Sequence, residues 1–461
     1  MCIRDSLLPA ALAERAQAMA TDILLRLIDC ERVIAATNGS RQAVEFPGWV
    51  EGASTYGGAA GIAMAFAHAA RALEPPGPGV DGWRVHAGTW LREAAGGTHH
   101  RPVTSAGVAD GTAGLTLVLD DLSAQDGRWA GALRTLHGNL CDQVDALERQ
   151  PAGTLYFGVY DTIRGRAGIL GSIAAASSPG PALRRCAHAL VDHLVNLCAV
   201  RQDSDPWAPW RIPVENQPKR DSGRYPHGYV DLGLAHGIPG PLAALSRAWE
   251  AGYRRPGLRD AIRNLADRMV EAAQTDAAGP RWGRVLPYDE TGAVAPHHGP
   301  VAGPTFCYGA PGICSALLDA ADVLADGSLH ALAVSGFEAA LGPVRDGHDS
   351  LVFPGLCHGL AGLMLVCRKF AVRTGSEPAR ALLTALTEEL IDRCDPAVPF
   401  LVQDYRPAYE EKPSGSSVAE RTDGLWIDNP GMLEGAAGVA LALMSIPSSV
   451  PPRWARALLV E

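Results

Sequence analysis

Four short motifs carry side chains that can bind a metal ion or move a proton. They read YDTIRG, GLAHG, FCYG and LCHG, and their reactive residues are Asp161, His236, Cys307, Cys357 and His358. Two cysteine thiolates and one imidazole form a donor set that suits Zn²⁺. Three protein ligands leave the fourth tetrahedral position open, as in catalytic zinc sites. We therefore predict that Cys307, Cys357 and His358 bind one zinc ion.

Each of these residues also has an ordinary structural interpretation. Buried free cysteines are common, and an aspartate just before a helix is a typical N-cap. A closed structural zinc site would need a fourth ligand, and the nearest candidate, Cys314, lies inside an apolar run where we expect it to pack. Because Cys307 and Cys357 occupy equivalent places in two copies of one motif, we favour a metal site over two unrelated buried thiols.

All four motifs stand immediately before a G-x-x-G sequence that opens a small, apolar run. The chain has seven such copies, whose first glycines are Gly58, Gly111, Gly165, Gly237, Gly309, Gly359 and Gly435. A sequence element that recurs in this way indicates an internal repeat. The segments between copies have apolar residues at helical spacing, most clearly at 129–150, 181–200, 257–274 and 377–394. Each repeat therefore predicts an amphipathic outer helix and an apolar inner helix.

The apolar inner helices predict the architecture, because a helix that is apolar all round must be buried. Two glycines three residues apart lie on one face of the first turn, where another backbone can approach closely. Seven inner and seven outer helices predict an all-α fold, an α/α toroid of two concentric rings. An open solenoid is the alternative, but its terminal repeats normally carry polar caps, which the first and last copies lack. In a ring, the residues before each G-x-x-G would meet at one end.

Length and composition fit one folded domain over residues 1–461, with the repeats at about 40–445. The chain is 47% hydrophobic, has a net charge of −10, and contains no basic block and no long uninterrupted apolar run. These features argue against nucleic acid as a partner and against a membrane-spanning helix. The N-terminal stretch lacks the pattern of a secretory signal, so we expect a cytoplasmic protein. Residues 1–6 (MCIRDS) fit no motif, and an artefact of cloning or assembly would explain them.

The motifs GLAHGIPGPLAAL, CYGAPG and CHGLAG, in this order among the G-x-x-G helices, resemble the lanthipeptide (lantibiotic) cyclases, the lanthionine synthetase C-like proteins. The resemblance implies an α/α toroid with seven inner and seven outer helices. It also implies a zinc-dependent enzyme of antibiotic biosynthesis. Such an enzyme adds a cysteine thiol of a ribosomal precursor peptide to a dehydroalanine or dehydrobutyrine of the same peptide, forming a thioether ring.

The resemblance also assigns roles to residues. The family's three zinc ligands match Cys307, Cys357 and His358. His236 would be the acid/base residue, Asp161 would assist it, and Tyr308 stands where the family has a tyrosine beside the first zinc cysteine. Histidine suits this role because its ordinary pKa lies near neutrality, so that it can take the thiol proton and return one to carbon.

The sequence departs from the family's pattern in two places. Phe306 replaces a tryptophan before the first zinc cysteine, and Gly303 replaces an arginine that some members carry, so that Arg164 or another residue would supply the positive charge. The chain also has no room for the dehydratase of two-domain synthetases. We therefore expect a separate dehydratase, and an exporter in a modification complex that would place the cyclase peripherally at the membrane.

Other functions use parts of the same pattern. A related zinc enzyme would add glutathione or another small thiol to dehydroamino residues, and a zinc-stabilised scaffold would bind peptides without catalysis. A toroidal glycosidase would need paired acids in the barrel, which these motifs do not provide. Two long segments, 202–230 with Trp207, Trp210 and Tyr225, and 276–304, either form a rim that binds the peptide or merely cover the end of the barrel.

Overall fold

The computed structural model is mostly helical, so the predicted all-α class is confirmed. It describes residues 7–44, 52–75, 81–149, 155–199, 205–218, 221, 223–295, 303–347, 351–406 and 425–461. The α-helices are α1 Ala10–Arg26, α2 Cys30–Val44, α3 Ala59–Ala72, α4 Trp83–Gly97, α5 Thr112–Gln125, α6 Ala130–Glu148, α7 Phe157–Tyr160, α8 Arg166–Ala174, α9 Pro181–Ala199, α10 Pro239–Glu250, α11 Leu258–Glu271, α12 Ala310–Leu324, α13 Gly327–Arg345, α14 Leu360–Thr374, α15 Glu377–Asp392 and α16 Ala436–Ser445.

Short 3₁₀-helices and three antiparallel ribbons connect these helices in the described parts of the chain. The 3₁₀-helices include Gly127–Trp129, Ala208–Trp210, Val214–Asn216 and Arg453–Leu458. The ribbons pair β1 Tyr229–Asp231 with β4 Val285–Pro287, β2 Gln274–Asp276 with β3 Gly279–Arg281, and β5 Asp404–Arg406 with β6 Leu425–Ile427. No described helix is both long enough and apolar enough to cross a membrane.

All seven predicted inner helices are present. They are α3, α5, α8, α10, α12, α14 and α16, and each begins one or two residues after the first glycine of its G-x-x-G. These helices have no polar face because they are buried on all sides. Every residue of α16 is buried, and α12 is buried over most of its length. The predicted amphipathic segments are the outer helices α6, α9, α11 and α15.

The seventh inner helix obtains its partner from the other end of the chain. Helix α1 packs against α16. The residues after α16 instead form the short 3₁₀-helix Arg453–Leu458, which packs against α5 and α8. The repeat of inner and outer helices is therefore completed by the N-terminal segment rather than by the sequence that follows the last G-x-x-G.

The chain divides into two compact units. One contains residues 1–102, 351–364 and 383–451, and the other contains 103–350, 365–382 and 452–461. In the second unit the inner helices α5, α8, α10 and α12 pack one against the next, and each contacts the outer helix that follows it. In the first unit α3 contacts both α4 and α16.

The G-x-x-G glycines are required for space. Added to Gly312, a Cβ atom would lie 1.8 Å from the carbonyl oxygen of Phe306, and at Gly438 it would lie 1.9 Å from that of Met432. The loop before each of these inner helices thus folds back over the helix's first turn. The neighbouring copy also approaches, because the same Cβ on Gly312 would lie 3.0 Å from Cβ of Leu234. The motif therefore marks positions where any side chain would displace the loop.

Backbone hydrogen bonds join the loops of successive copies in the second unit. Val108 N–H donates to the carbonyl of Ile163 at 3.1 Å, and Thr162 N–H donates to that of Ala235 at 3.1 Å. Ala235 N–H in turn donates to the carbonyl of Cys307 at 3.0 Å. The loops that carry Asp161, His236 and Cys307 are therefore direct neighbours.

The loops of the first unit are joined in the same way. The N–H groups of Leu356 and Cys357 donate to the carbonyl of Leu433 at 2.8 and 2.9 Å, and Leu433 N–H donates to that of Tyr56 at 2.9 Å. The last copy is thus hydrogen bonded to the first. At Gly355 a Cβ would lie 2.8 Å from the backbone of Glu434, which explains the glycine before Cys357 and His358.

Candidate active site

Asp161 and His236 form a hydrogen-bonded pair. Nδ1 of His236 lies 2.7 Å from Oδ2 of Asp161, and the Asp161 residue is only 2% exposed. The other oxygen, Oδ1, accepts hydrogen bonds from the backbone N–H groups of Ile163, Arg164 and Gly165 at 3.2, 2.8 and 2.7 Å. The two interpretations of Asp161 are therefore compatible, because one oxygen holds the loop before α8 and the other holds the imidazole.

The hydrogen bond to Asp161 sets the chemistry of His236. A carboxylate at Nδ1 favours the tautomer that carries its proton there, so Nε2 is the nitrogen left for proton transfer. The ring packs against Phe157 and Tyr308, with ring centroids 5.0 and 5.9 Å away, and its side chain is 25% exposed. His236 is thus held in one orientation while it keeps access to solvent or a substrate.

The three predicted metal ligands lie on two loops, one in each compact unit. Cys307 stands before α12 in the second unit, and Cys357 and His358 stand next to each other before α14 in the first. Thr305 Oγ1 lies 3.6 Å from the sulfur of Cys307, and the ring of Phe353 meets that of His358 edge-on at 4.6 Å. Two thiolates and one imidazole are a donor set that suits a three-ligand zinc site.

Cys314 does not join this group. It is fully buried in α12, and burial raises the pKa of its thiol, so it packs as expected. All cysteines in the described residues are free thiols.

The sequence model of the lanthionine synthetase C-like proteins matches residues 50–459. The chain belongs to this family. The resemblance seen in the three motifs is thereby confirmed. Among solved structures the chain is similar to nisin cyclase, with a TM-score of 0.73 and 19% sequence identity over 93% of this chain and 97% of that one. It therefore has the fold of that protein, and the predicted all-α toroid is confirmed. No curated protein matches the sequence at a significant level.

Arg284 is a charged residue beside Tyr308 that the sequence motifs of this lanthionine synthetase C-like chain did not single out. Its guanidinium carbon lies 4.4 Å from the centroid of the Tyr308 ring. Arg164 forms a two-pronged salt bridge with Asp110, with its closest contact at 2.7 Å. Arg284 lies far before Cys307 in the sequence, within the segment 276–304, and only the fold brings it to Tyr308.

The aromatic residues of the proposed rim lie in the interior of this lanthionine synthetase C-like chain. Trp207, Trp210 and Tyr225 are 9%, 1% and 8% exposed, and Trp210 packs edge-on against Tyr160 at 5.3 Å. These three side chains therefore support the covering interpretation of 202–230. Residues 202–204, 219–220 and 222 of this segment, 296–302 of the other, and 1–6 lie outside the described residues.

Proposed function

We propose that this chain is a zinc-dependent cyclase that forms lanthionine or methyllanthionine rings. It would add cysteine thiols of a ribosomal precursor peptide to dehydroalanine or dehydrobutyrine residues of the same peptide. The observation that carries this proposal is the 2.7 Å hydrogen bond that holds the imidazole of His236 against the buried Asp161, in a chain that also carries the zinc donor set Cys307, Cys357 and His358. Membership of the lanthionine synthetase C-like family and the fold shared with nisin cyclase support it.

Cys307, Cys357 and His358 would hold the zinc ion and leave a position for the substrate. A free cysteine thiol has a pKa of about 8.5, and zinc bound here would lower the pKa of a substrate thiol and so make its thiolate available at neutral pH. Thr305 Oγ1 lies 3.6 Å from the Cys307 sulfur, so its hydroxyl can donate a hydrogen bond to the Cys307 thiolate and moderate the charge of that thiolate. The protein's other residues would hold the zinc ligands in place and transfer the proton of the substrate thiol.

His236 would accept the proton of the substrate thiol and later donate it to carbon. Because Asp161 occupies Nδ1, the basic Nε2 is available to take the proton of the substrate thiol. The sulfur then forms a bond to the β-carbon of the dehydro residue, and the electron pair of the double bond moves toward the adjacent carbonyl. Protonated His236 returns the proton to the α-carbon, so the reaction consumes no net acid or base. Tyr308, against the His236 ring, would hold the imidazole in place and line the substrate position.

The Asp161–His236 pair favours an enzyme over a zinc-stabilised scaffold. A structural site needs ligands only, whereas this chain also orients a partly exposed imidazole with a buried carboxylate. Dehydro residues do not occur in a newly translated peptide, so a dehydratase must act first. We propose that this is a separate enzyme working in the cytoplasm, and that an exporter in the same complex would bring the cyclase to the membrane surface.

A synthetic peptide with one dehydroalanine and one downstream cysteine tests this function. With the zinc-loaded full chain, we expect the peptide's mass to stay constant while its thiol stops reacting with an alkylating reagent, since ring closure is an isomerisation. Protein stripped of metal with a chelator should lose this activity and regain it with added Zn²⁺. Addition of glutathione, seen as a mass increase, in preference to ring closure would identify the small-thiol enzyme instead. A thiol that stays alkylatable under all conditions would refute the proposal.

A further inference from the structure

Arg284 has no conventional partner among the described residues. Its buried Nε makes no hydrogen bond, and no carboxylate of the described chain pairs with its guanidinium. Two other arginines of the same unit differ in this respect: Arg166 donates to Glu148 at 2.7 Å, and Arg211 donates to the carbonyl of His227. The described contact of the Arg284 guanidinium is with the face of the Tyr308 ring.

Arg284 is half-buried, and its buried Nε is left without a hydrogen bond. The ring face attracts the positive charge, but it does not satisfy the five N–H donors of an arginine. Burying polar groups without hydrogen bonds carries a penalty that folded proteins usually avoid. Arg284 therefore presents a cation with unused donors beside the residue that follows Cys307.

The fold fixes where this charge lies. Leu232 N–H donates to the carbonyl of Arg284 at 3.0 Å, which ties the arginine's backbone to the loop that carries His236. Gly233, the residue after Leu232, lies against Tyr308, because a Cβ atom added to Gly233 would lie 2.7 Å from the Tyr308 ring. The positive charge of Arg284 also acts on Tyr225. Burial raises the pKa of the Tyr225 phenol, and the Arg284 guanidinium opposes that rise. Arg284 is thus positioned by the loop of the proposed acid/base residue.

We propose that Arg284 binds the carbonyl oxygen of the substrate's dehydro residue and stabilises the negative charge that develops there. This inference rests on the proposed cyclase function. As sulfur bonds to the β-carbon, the electron pair of the carbon–carbon double bond moves to give an enolate whose charge lies mainly on oxygen. The planar fork of the guanidinium can donate to that oxygen without giving up a proton. When His236 protonates the α-carbon, the enolate returns to a carbonyl and the contact weakens.

The test compares Arg284→Gln with Arg211→Gln in the zinc-loaded full chain. Arg211 is a matched control, because its guanidinium also lies over a tyrosine, 4.3 Å from the centroid of Tyr288. With the dehydroalanine peptide, we expect Arg284→Gln to lower kcat roughly 10²-fold with little change in KM, as for the loss of one oxyanion donor. Arg284→Lys, which keeps the charge, should recover part of kcat. Arg211→Gln should keep wild-type kcat.

Zinc content and thermal unfolding of each variant separate a chemical effect from misfolding. If Arg284→Gln folds poorly, the intermediate kcat expected of Arg284→Lys carries the test. Wild-type kcat in either Arg284 variant, or equal losses in Arg284→Gln and Arg211→Gln, would overturn the inference while leaving a cyclising wild type intact. A wild-type protein that binds zinc but forms no ring would overturn the proposed function, and this inference with it.

Discussion

His236→Ala will keep its zinc and its fold but lower the rate of ring closure roughly 10²- to 10⁴-fold, the range typical of general acid–base catalysis. The variant removes the imidazole that Asp161 holds through a 2.7 Å hydrogen bond and leaves the three proposed metal ligands unchanged. The rate falls because the thiol proton loses its acceptor and the α-carbon loses its donor. Ring closure of the dehydroalanine peptide, followed by loss of alkylatable thiol, measures the effect, and elemental analysis shows the retained metal.

A second histidine provides the control for this variant. His193 also meets a carboxylate through Nδ1, 3.1 Å from Oε2 of Glu148, but it lies on the outer helix α9. His193→Ala should cyclise the peptide at the wild-type rate. Full activity in His236→Ala would remove this residue from the mechanism, and loss of zinc in it would indicate a structural rather than a catalytic role.

Gly312→Ala will destabilise the protein by about 3 kcal/mol, at the upper end of what overpacking a core costs. The added Cβ would lie 1.8 Å from the carbonyl oxygen of Phe306, a backbone atom that cannot turn aside. The residue after Phe306 is Cys307, so relief of the clash would also move a proposed metal ligand. We therefore expect lower zinc affinity together with the lower stability, measured by denaturant unfolding and by zinc titration.

Gly138 is the matched control, because it lies inside the outer helix α6 and a Cβ there would meet nothing within 4 Å. Gly138→Ala should stabilise the protein by about 0.5–1 kcal/mol, since alanine is the better helix former. Equal stability of Gly312→Ala and the wild type would show that the loop does not fold back on α12 as described.

The positions of the inner helices could be predicted because one local requirement recurs. Wherever a loop folds back on the first turn of its own inner helix, a side chain is excluded, and the chain shows glycine at that point. The apolar sequence after each glycine pair follows from burial on all sides. Cys307 and Cys357 could be proposed as ligands for the same reason, since both stand just before the G-x-x-G of their repeat copy.

Contacts between distant segments could not be predicted in this way. Arg284 reaches Tyr308 only because the ribbon of β1 and β4 fixes its backbone, and no local pattern records that pairing. Lys369 is another example: it is 3% exposed in α14, and its Nζ lies 2.8 Å from Asp319 in α12. Burial lowers the pKa of this lysine to about 8. A single lysine at the end of an apolar run gives no sign of such a partner.

Zinc per chain should be measured first, in the wild type, in Cys357→Ala and in Cys314→Ala. Cys314 is the control, because it is a buried cysteine outside the proposed set of ligands. We predict one zinc in the wild type and in Cys314→Ala, and none retained in Cys357→Ala. A wild type that binds no zinc even when supplied with it, or a Cys357→Ala variant that binds zinc as tightly as the wild type, would contradict the assignment of Cys307, Cys357 and His358 as a catalytic zinc site.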